Sequence, residues 1–307
     1  MAARVHLGGV EPGVVTVRQG ARMGRRLERL DAPKGSVFEG YWDLIEGNGL
    51  AIGEQAPEYR DREPLPQSAH SRGPASNLRV EGGADVEHHV TFDARLGPVV
   101  VEKGASVESF SRVMGPCYIG RRTKVLSALV GGGTSVFEGC KVGGQLENTI
   151  VMPNTNKAHH GYVGDSYVGE WVNLGAGSTF SNLKNTYGTV RVRVGAKERD
   201  TGMTKLGPFL GDMAKVSIGA LVYSGRSIGP GSLVSGLVSE DVPSFTYHDG
   251  SSEGVELLLE SVIETQRRMM ERRDKELSRA QEKLIRRVFT LTAAERRKAG
   301  VRKGRIG

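Results

Sequence analysis

The chain has 307 residues, of which 38% are hydrophobic and 43 are glycine, and this composition favours a fold with many tight turns over one of thick packed helices. Two cysteines, Cys117 and Cys140, are too few for a disulfide framework. With no signal-like start and no long apolar run, the sequence predicts a cytoplasmic protein outside the membrane. The net charge is +7, but most of the excess lies after residue 250, which argues against a nucleic-acid groove across the main domain.

Two segments precede the main domain. Residues 1–53 form a short N-terminal segment whose strand-like runs, at 14–20 and 36–49, are too short for an independent catalytic domain. Residues 54–77 are rich in proline, charge and serine, and this composition predicts a linker. Residues 78–250 are therefore the predicted main domain.

The main domain repeats an apolar residue every six positions. This step fits neither a 3.6-residue helix nor a long alternating strand, but it is typical of a coil of short strands joined by tight corners. The alternative, separate strands of a sandwich, needs alternating hydrophobicity and a turn every 8 to 12 residues or so. The sequence predicts an all-β fold, a parallel β-helix of hexapeptide repeats, from series such as Val101, Val107, Val113, Ile119 and Val125, and Leu210, Val216, Val222, Ile228 and Val234.

Two stretches interrupt the six-residue period. Met152–Gly161 and Leu183–Lys205 are too polar and too long to be single corners. Insertions into a repeat fold project as loops from one face, which is often the binding face. We therefore expect both stretches to be loops and to mark the region of function.

Residues 251–307 form a basic α-helical tail. Leucine, isoleucine and methionine at seven-residue intervals predict one long helix from Gly254 to Phe289, which packs on the β-helix or within an oligomer and could bind a protein partner. A capping-box pattern from Thr292 to Glu295 predicts a second short helix. For Arg296–Arg305, where no acid interrupts the basic residues, a disordered end is favoured over contact with CoA phosphates, RNA or an acidic partner.

The densest polar cluster extends from Asn156 to Gly188. It contains the adjacent pair His159 and His160, and an imidazole that projects from a β-helix can act as a general base toward an amine or hydroxyl. The glycine-rich corner at 175–177 is expected to leave backbone N–H and C=O groups open to a pantetheine-like amide chain. The cluster therefore combines a candidate general base with a corner suited to a pantetheine-like chain.

The blocks of this cluster resemble the acetyltransferase domain of the bifunctional N-acetylglucosamine-1-phosphate uridyltransferase/glucosamine-1-phosphate acetyltransferase family and of related sugar nucleotidyltransferase-like proteins. The resemblance covers about half of the chain and implies a left-handed β-helix assembled as a homotrimer with sites between subunits. It rests on Lys157-Ala158-His159, Tyr162-Val163-Gly164-Asp165, Val172-Asn173-Leu174-Gly175-Ala176-Gly177, Ser181-Asn182 and Leu210-Gly211-Asp212.

The resemblance also implies roles for individual residues. His159 matches the family's catalytic base, which deprotonates the sugar amine, and no metal is expected. The residues implied to bind the amino sugar phosphate are Lys157, Tyr162, Asn173 and Asn182. The residues implied to bind acetyl-CoA are Gly175, Ala176, Gly177 and Asp212.

The chain departs from the family's pattern in two respects. The family's phosphate clamp uses an arginine and a lysine, whereas the corresponding stretches here, Val130–Gly133 and Gln145–Glu147, contain neither; Arg121, Arg122 or Lys157 could compensate. The nucleotidyltransferase half is also missing, since only Tyr41–Ile45 resembles its end. No nucleotidyl transfer is therefore expected of this chain alone.

Three functions remain open from the sequence. The first is an acyltransferase that moves acetyl from acetyl-CoA to an amino sugar phosphate or related sugar. The second is a catalytically degenerate trimeric β-helix, which serves as a scaffold or regulatory partner of a sugar-nucleotide enzyme. The third is a zinc enzyme of the γ-carbonic anhydrase type, which the spacing of the four paired histidines, His88, His89, His159 and His160, disfavours.

Overall fold

The computed structural model describes residues 38–59, 63–195, 197–251 and 253–304. The chain divides into two units, Met1–Asp43 and Leu44–Gly307, and the β-helix belongs to the second. The predicted strand-like run at 14–20 lies outside the described residues. Much of the run at 36–49 is not a strand, because helix α1 (Asp43–Gln55) begins within it; Ile45 and Ile52, seven residues apart, are both buried. A 3₁₀ turn, Ala56–Glu58, follows.

The main domain is a helix of short parallel strands with three faces, which we call A, B and C. Each turn of this helix, which we call a coil, places strands on these faces in succession. The first strand to join the coil, His70–Arg72, lies on face C and within the residues predicted as a linker, where a 3₁₀ turn at Ala75–Asn77 follows it. Face A is an eight-stranded sheet: Leu78–Val80, Val99–Val101, Cys117–Ile119, Thr134–Val136, Ile150–Val151, Tyr167–Val168, Phe209–Leu210 and Ser227–Ile228.

Faces B and C share a second sheet, because the strands Lys124–Val130 and Lys141–Glu147 run from one face round the corner onto the other. The remaining strands of face B are Asp85–Val86, Ser106–Val107, Asn156–Lys157, Asn173–Leu174, Lys215–Val216, Leu233–Val234 and Thr246–His248. The remaining strands of face C are Thr91–Asp93, Arg112–Met114, Tyr162–Gly164, Thr179–Phe180, Leu221–Val222 and Leu237–Val238.

The core consists of inward side chains stacked from coil to coil. On face C, for example, Phe92 pairs in register with Val113, and Val113 with Val130, and all three are fully buried. Each coil thus places an aliphatic or aromatic residue above the one before it, about 4.8 Å away. The predicted fold class, an all-β parallel β-helix of hexapeptide repeats with a C-terminal α-helical extension, is confirmed.

The two predicted loops have different outcomes. Met152–Gly161 is not an insertion, because its residues 156–157 form a face-B strand in register with Lys141 and Val142. The period was hidden because a lysine, Lys157, occupies the inward position. Leu183–Lys205 is an insertion: its ends pair with each other, and it carries an antiparallel hairpin of the strands Arg191–Val194 and Lys197–Asp200.

The predicted single C-terminal helix is instead two, α2 (Leu259–Glu271) and α3 (Arg279–Leu291), which contact each other. The helix breaks where Asp274 adopts a left-handed conformation, with φ of 53°. Ser278 then begins α3 with a capping box to Gln281. Both helices pack on the last coils around Phe245 and Leu257. Strands Val255–Glu256 and Arg302–Lys303 extend the shared sheet at this end.

A short helix, α4 (Ala293–Lys298), follows α3 as predicted, but Thr292 does not cap it. The Thr292 hydroxyl donates to the carbonyl of Val288 instead, and Glu295 accepts from the backbone N–H of Ser244. The disordered end favoured for 296–305 is wrong at its first residue, because the Arg296 side chain is 2% exposed. Within the part of the chain that the structure describes, no helix has the length and apolar character to span a membrane.

Candidate active site

The histidines and the glycine-rich corner lie on one edge of the β-helix, where each coil turns from face B to face C. We call this the B–C edge. The turns require a left-handed backbone residue, a conformation that favours glycine. The positions with positive φ along the edge are His89, Phe110, Ser127, Gly144, Gly161, Gly177, Gly219 and Gly236.

Lys157 supports this edge from the inside. Its side chain occupies an inward position of face B and is 2% exposed. The amine donates a hydrogen bond of 2.7 Å to the carbonyl oxygen of His159, and burial lowers the pKa of the amine to about 8. Lys157 therefore holds the turn that carries the histidines and does not face the outside of the coil.

His159 and His160 are both exposed. The carbonyl of His160 accepts a bond of 2.9 Å from the N–H of Gly177 on the next coil. Its imidazole lies against the same residue, because a Cβ placed on Gly177 would be 3.4 Å from His160 Nε2. Of the two histidines, His160 is the one whose ring is placed beside the 175–177 corner.

Tyr162 and Asn182 meet on face C in a polar network. The Tyr162 hydroxyl accepts from Asn182 Nδ2 at 2.9 Å and donates to Glu147 at 3.2 Å. Asn182 Nδ2 also donates to Asp165 at 2.5 Å, and Asn148 donates to the other oxygen of Asp165 at 2.7 Å. Burial, with the Glu147 and Asp165 charges, raises the pKa of Tyr162, so the phenol stays neutral.

The predicted site residues did not include Glu147, Asn148 or Asp165, although Asp165 belongs to the matched Tyr-Val-Gly-Asp block. Asn173, which was predicted to join Tyr162, lies on face B, where its side-chain oxygen accepts a bond of 3.0 Å from Asn156. Of the four predicted sugar-binding residues, the structure thus brings together Tyr162 and Asn182, places Asn173 on the neighbouring face and buries Lys157.

The 175–177 corner is less open than the sequence predicted, because its backbone groups are already paired. The N–H of Gly175 donates to Val216, the N–H of Gly177 to His160, and the C=O of Ala176 accepts from Gly219. Asp212 follows a face-A strand, and its carboxylate accepts from the N–H of Glu170. Asp212 therefore lies at the turn from face A to face B and not on the B–C edge.

A groove of about 540 Å³ opens beside the B–C edge. The outward residues of face C along it are in register from coil to coil: Arg112 with Leu129, Leu129 with Gln145, and Gln145 with Tyr162. The edge residues Phe110 and Ser127 also line the groove. Neither Phe110 nor Arg112 was predicted, since no motif contains them.

The cations proposed as substitutes for the phosphate clamp are engaged elsewhere. Arg121 pairs with Glu102 at 3.7 Å and Arg122 with Glu138 at 3.3 Å, both after strands of face A. Arg112 instead lies along the same groove as Tyr162, three strand steps away. Among the described residues, no three His, Cys, Asp or Glu side chains converge in a way that could hold a metal ion.

No family model matches the chain. A bifunctional sugar-1-phosphate nucleotidylyltransferase/acetyltransferase of Sulfurisphaera tokodaii is 34% identical over 110 residues, which are 33% of this chain and 27% of that protein. An uncharacterized acetyltransferase of Escherichia coli O6:K15:H31 is 25% identical over 213 residues, 66% of this chain and 93% of that protein. A solved UDP-N-acetylglucosamine acyltransferase of Francisella novicida aligns over 74% of this chain and 79% of its own, with 12% identity and a TM-score of 0.40.

The match covers about a quarter of the length of the bifunctional relatives, 27% and 26% in two of them. The motif blocks around Tyr162 and Asn173 indicated a likeness to the same class of protein. The resemblance that those blocks indicated is confirmed: this chain is a sequence relative of the bifunctional sugar-1-phosphate nucleotidylyltransferase/acetyltransferases.

Proposed function

We propose that the chain transfers an acyl group, with acetyl-CoA as donor, to the amine of an amino sugar phosphate or a related sugar. The observation that carries the proposal is the arrangement of the B–C edge: a histidine ring lies beside the 175–177 corner, and the Tyr162 network lies on the adjoining face. The names of the relatives, which include acetyltransferases, support the same reaction.

In this reaction the sugar nitrogen attacks the thioester carbonyl carbon. The N–C bond forms, the C–S bond breaks, and the base takes a proton from the nitrogen and returns it to the sulfur of the leaving CoA. We assign the base to the histidine pair. The sequence favours His159; the contact of His160 with the corner favours His160.

The Tyr162 network suits an amino sugar. A free sugar amine carries a positive charge at neutral pH, and Glu147 and Asp165 supply two carboxylates beside Tyr162 and Asn182. The attraction between these carboxylates and a positively charged ammonium group favours binding of the protonated amine. Loss of one proton to solvent or to a carboxylate then leaves the neutral amine for attack.

The remaining parts of the proposal concern assembly. The protein would form a homotrimer in the cytoplasm, in which a neighbouring subunit completes each B–C edge. That subunit would supply contacts to the pantetheine arm of CoA, because the backbone groups of the 175–177 corner are already hydrogen-bonded within one chain. A protein partner on the extension would have to use the outward residues of α3, such as Leu284 and Leu291, since the inward residues contact the last coils.

The test is thiol release from acetyl-CoA in the presence of a panel of amino sugar phosphates. His159→Ala and His160→Ala are compared separately, with His70→Ala, an exposed histidine of the first coil, as control. We expect the variant that removes the base to lose transfer by about 10²- to 10⁴-fold, while the control keeps it.

Two results would count against the proposal. If no acceptor stimulates thiol release and acetyl-CoA does not bind at millimolar concentration, the chain is a degenerate β-helix that serves as a scaffold or regulatory partner. If both histidine variants retain full transfer, the base lies outside the pair.

A further inference from the structure

We propose that the acceptor is a nucleoside diphosphate-linked amino sugar, whose base stacks on Phe110 and whose diphosphate binds Arg112, with the sugar at Tyr162. The inference rests on the acyl transfer proposed above and specifies its acceptor. The observations come from the end of the groove that lies away from His159 and His160. No sequence motif covers this end, which Phe110 and Arg112 line.

The first observation is an exposed aromatic ring at that end. Phe110 is 77% exposed although it is large and apolar, and it occupies an edge position with φ of 66°, where the coils from Gly144 onward carry glycine. Its ring stacks on His89, with centroids 5.7 Å apart and planes 9° apart. Ser127, the next residue along the edge, is small. Stacking of a base on such a ring stabilises binding and tolerates different bases.

The second observation is a positive charge with donors to spare. Asp93 lies between two arginines, and Arg95 already makes two bonds of 2.7 Å with its two oxygens. Arg112 makes a single bond of 3.0 Å to Asp93 and is 46% exposed. One carboxylate between two guanidinium groups leaves a net charge of +1. A guanidinium with free N–H groups facing a groove is suited to bind phosphate.

The third observation is spacing. Arg112 and Tyr162 are three strand steps apart in one register, which is about 14 Å at about 4.8 Å per step. The phosphate of an amino sugar 1-phosphate lies directly on the sugar ring and would not span this distance with its amine beside His160. A diphosphate between the sugar and a nucleoside does. The groove of about 540 Å³ is in the size range of small-ligand sites, roughly 300–1,000 Å³.

The first arm of the test measures binding without acyl transfer. UDP, dTDP, GDP and ADP are titrated into the protein by calorimetry, because stacking tolerates different bases. We expect at least one to bind, and Phe110→Ala and Arg112→Gln each to weaken it about tenfold or more. The matched controls are Phe137→Ala and Arg122→Gln, an aromatic and an arginine outside the groove, which should leave binding unchanged.

The second arm compares acceptors in the thiol-release assay. A nucleoside diphosphate-linked amino sugar should show a KM about tenfold or more below that of the matching amino sugar 1-phosphate, and Phe110→Ala should remove this difference. If the 1-phosphate is acetylated equally well and no nucleoside diphosphate binds, the inference is wrong while the acyl transfer stands. If a nucleoside diphosphate binds through Phe110 but no thiol is released with any acceptor, the acyl transfer is wrong and the nucleotide site stands.

Discussion

The coils of the β-helix and the helical extension are held by different kinds of contact. In the coils, each inward position repeats an aliphatic or aromatic residue, and face-C positions such as Phe92, Val113 and Val130 are fully buried. In the extension, apolar packing around Phe245 and Leu257 is joined by single polar contacts. Arg273 donates to the carbonyl of Gly139 at 2.6 Å, and Lys275 donates to Asn154 at 2.9 Å.

The most buried of these groups is Arg296. Its guanidinium donates to Glu256 at 2.6 Å and lies 4.2 Å from the ring centre of Phe289. The repeated core accommodates one buried lysine, Lys157, at an inward position, because the strands of the neighbouring coils keep the register. An extension built on unrepeated contacts depends on each of them separately.

The largest expected effect comes from the repeated core. Phe92→Ala removes a fully buried ring, and we expect the free energy of unfolding to fall by about 3–5 kcal/mol. Phe110→Ala, one coil later on the outside, should change it by less than about 0.5 kcal/mol. Urea denaturation of both variants measures the contrast. Equal losses from the two changes would show that the outward ring of Phe110 is part of the core.

A somewhat smaller effect is expected in the extension. Arg296→Met leaves Glu256 without its buried partner, and we expect a loss of about 3–4 kcal/mol, confined to α4 and the end of α3. Arg297→Met, an exposed neighbour, should be neutral. Limited proteolysis checks the location, since cleavage should concentrate after residue 285 and spare the coils. Unchanged cleavage in Arg296→Met would mean that apolar packing alone holds the extension.

The fold could be predicted from the sequence because one physical requirement, an inward apolar residue, recurs every six positions. The same rule failed at Met152–Gly161, since Lys157 fills the inward position and the period is no longer visible. It also has no bearing on the extension, where Asp274 and Ser278 break one predicted helix into two. Such breaks depend on a left-handed residue and a cap, which the seven-residue pattern does not reveal.

The site was predictable only where motif and geometry coincide. Tyr162 and Asn182 belong to matched blocks and do meet across coils. Phe110 and Arg112 could not be found, because their place in the same groove as Tyr162 follows from the register of four coils and not from nearness in the chain. Asp212 shows the opposite case. Its sequence block matches the family, but its strand ends at the turn from face A to face B and not at the B–C edge.

The smallest expected effect comes from the buried amine of Lys157. Burial lowers the pKa of Lys157 from 10.5 to about 8, so between these values the unfolded chain binds a proton that the folded chain has released. Stability therefore rises as the pH increases through this window. Lys157→Met lacks the titrating amine, and we expect its stability relative to the wild type to fall by about 3 kcal/mol between pH 7.5 and 10.5.

Urea denaturation across this pH range measures the difference, and Lys103→Met, at an exposed lysine, is the control that should show no such trend. The comparison of slopes is decisive because the pH dependence comes from the titrating amine, whereas the change in apolar packing caused by the substitution is the same at every pH. Parallel stability curves for the wild type and Lys157→Met would mean that the amine is solvated in the folded chain. The turn that carries His159 and His160 would then be held by its backbone bonds alone.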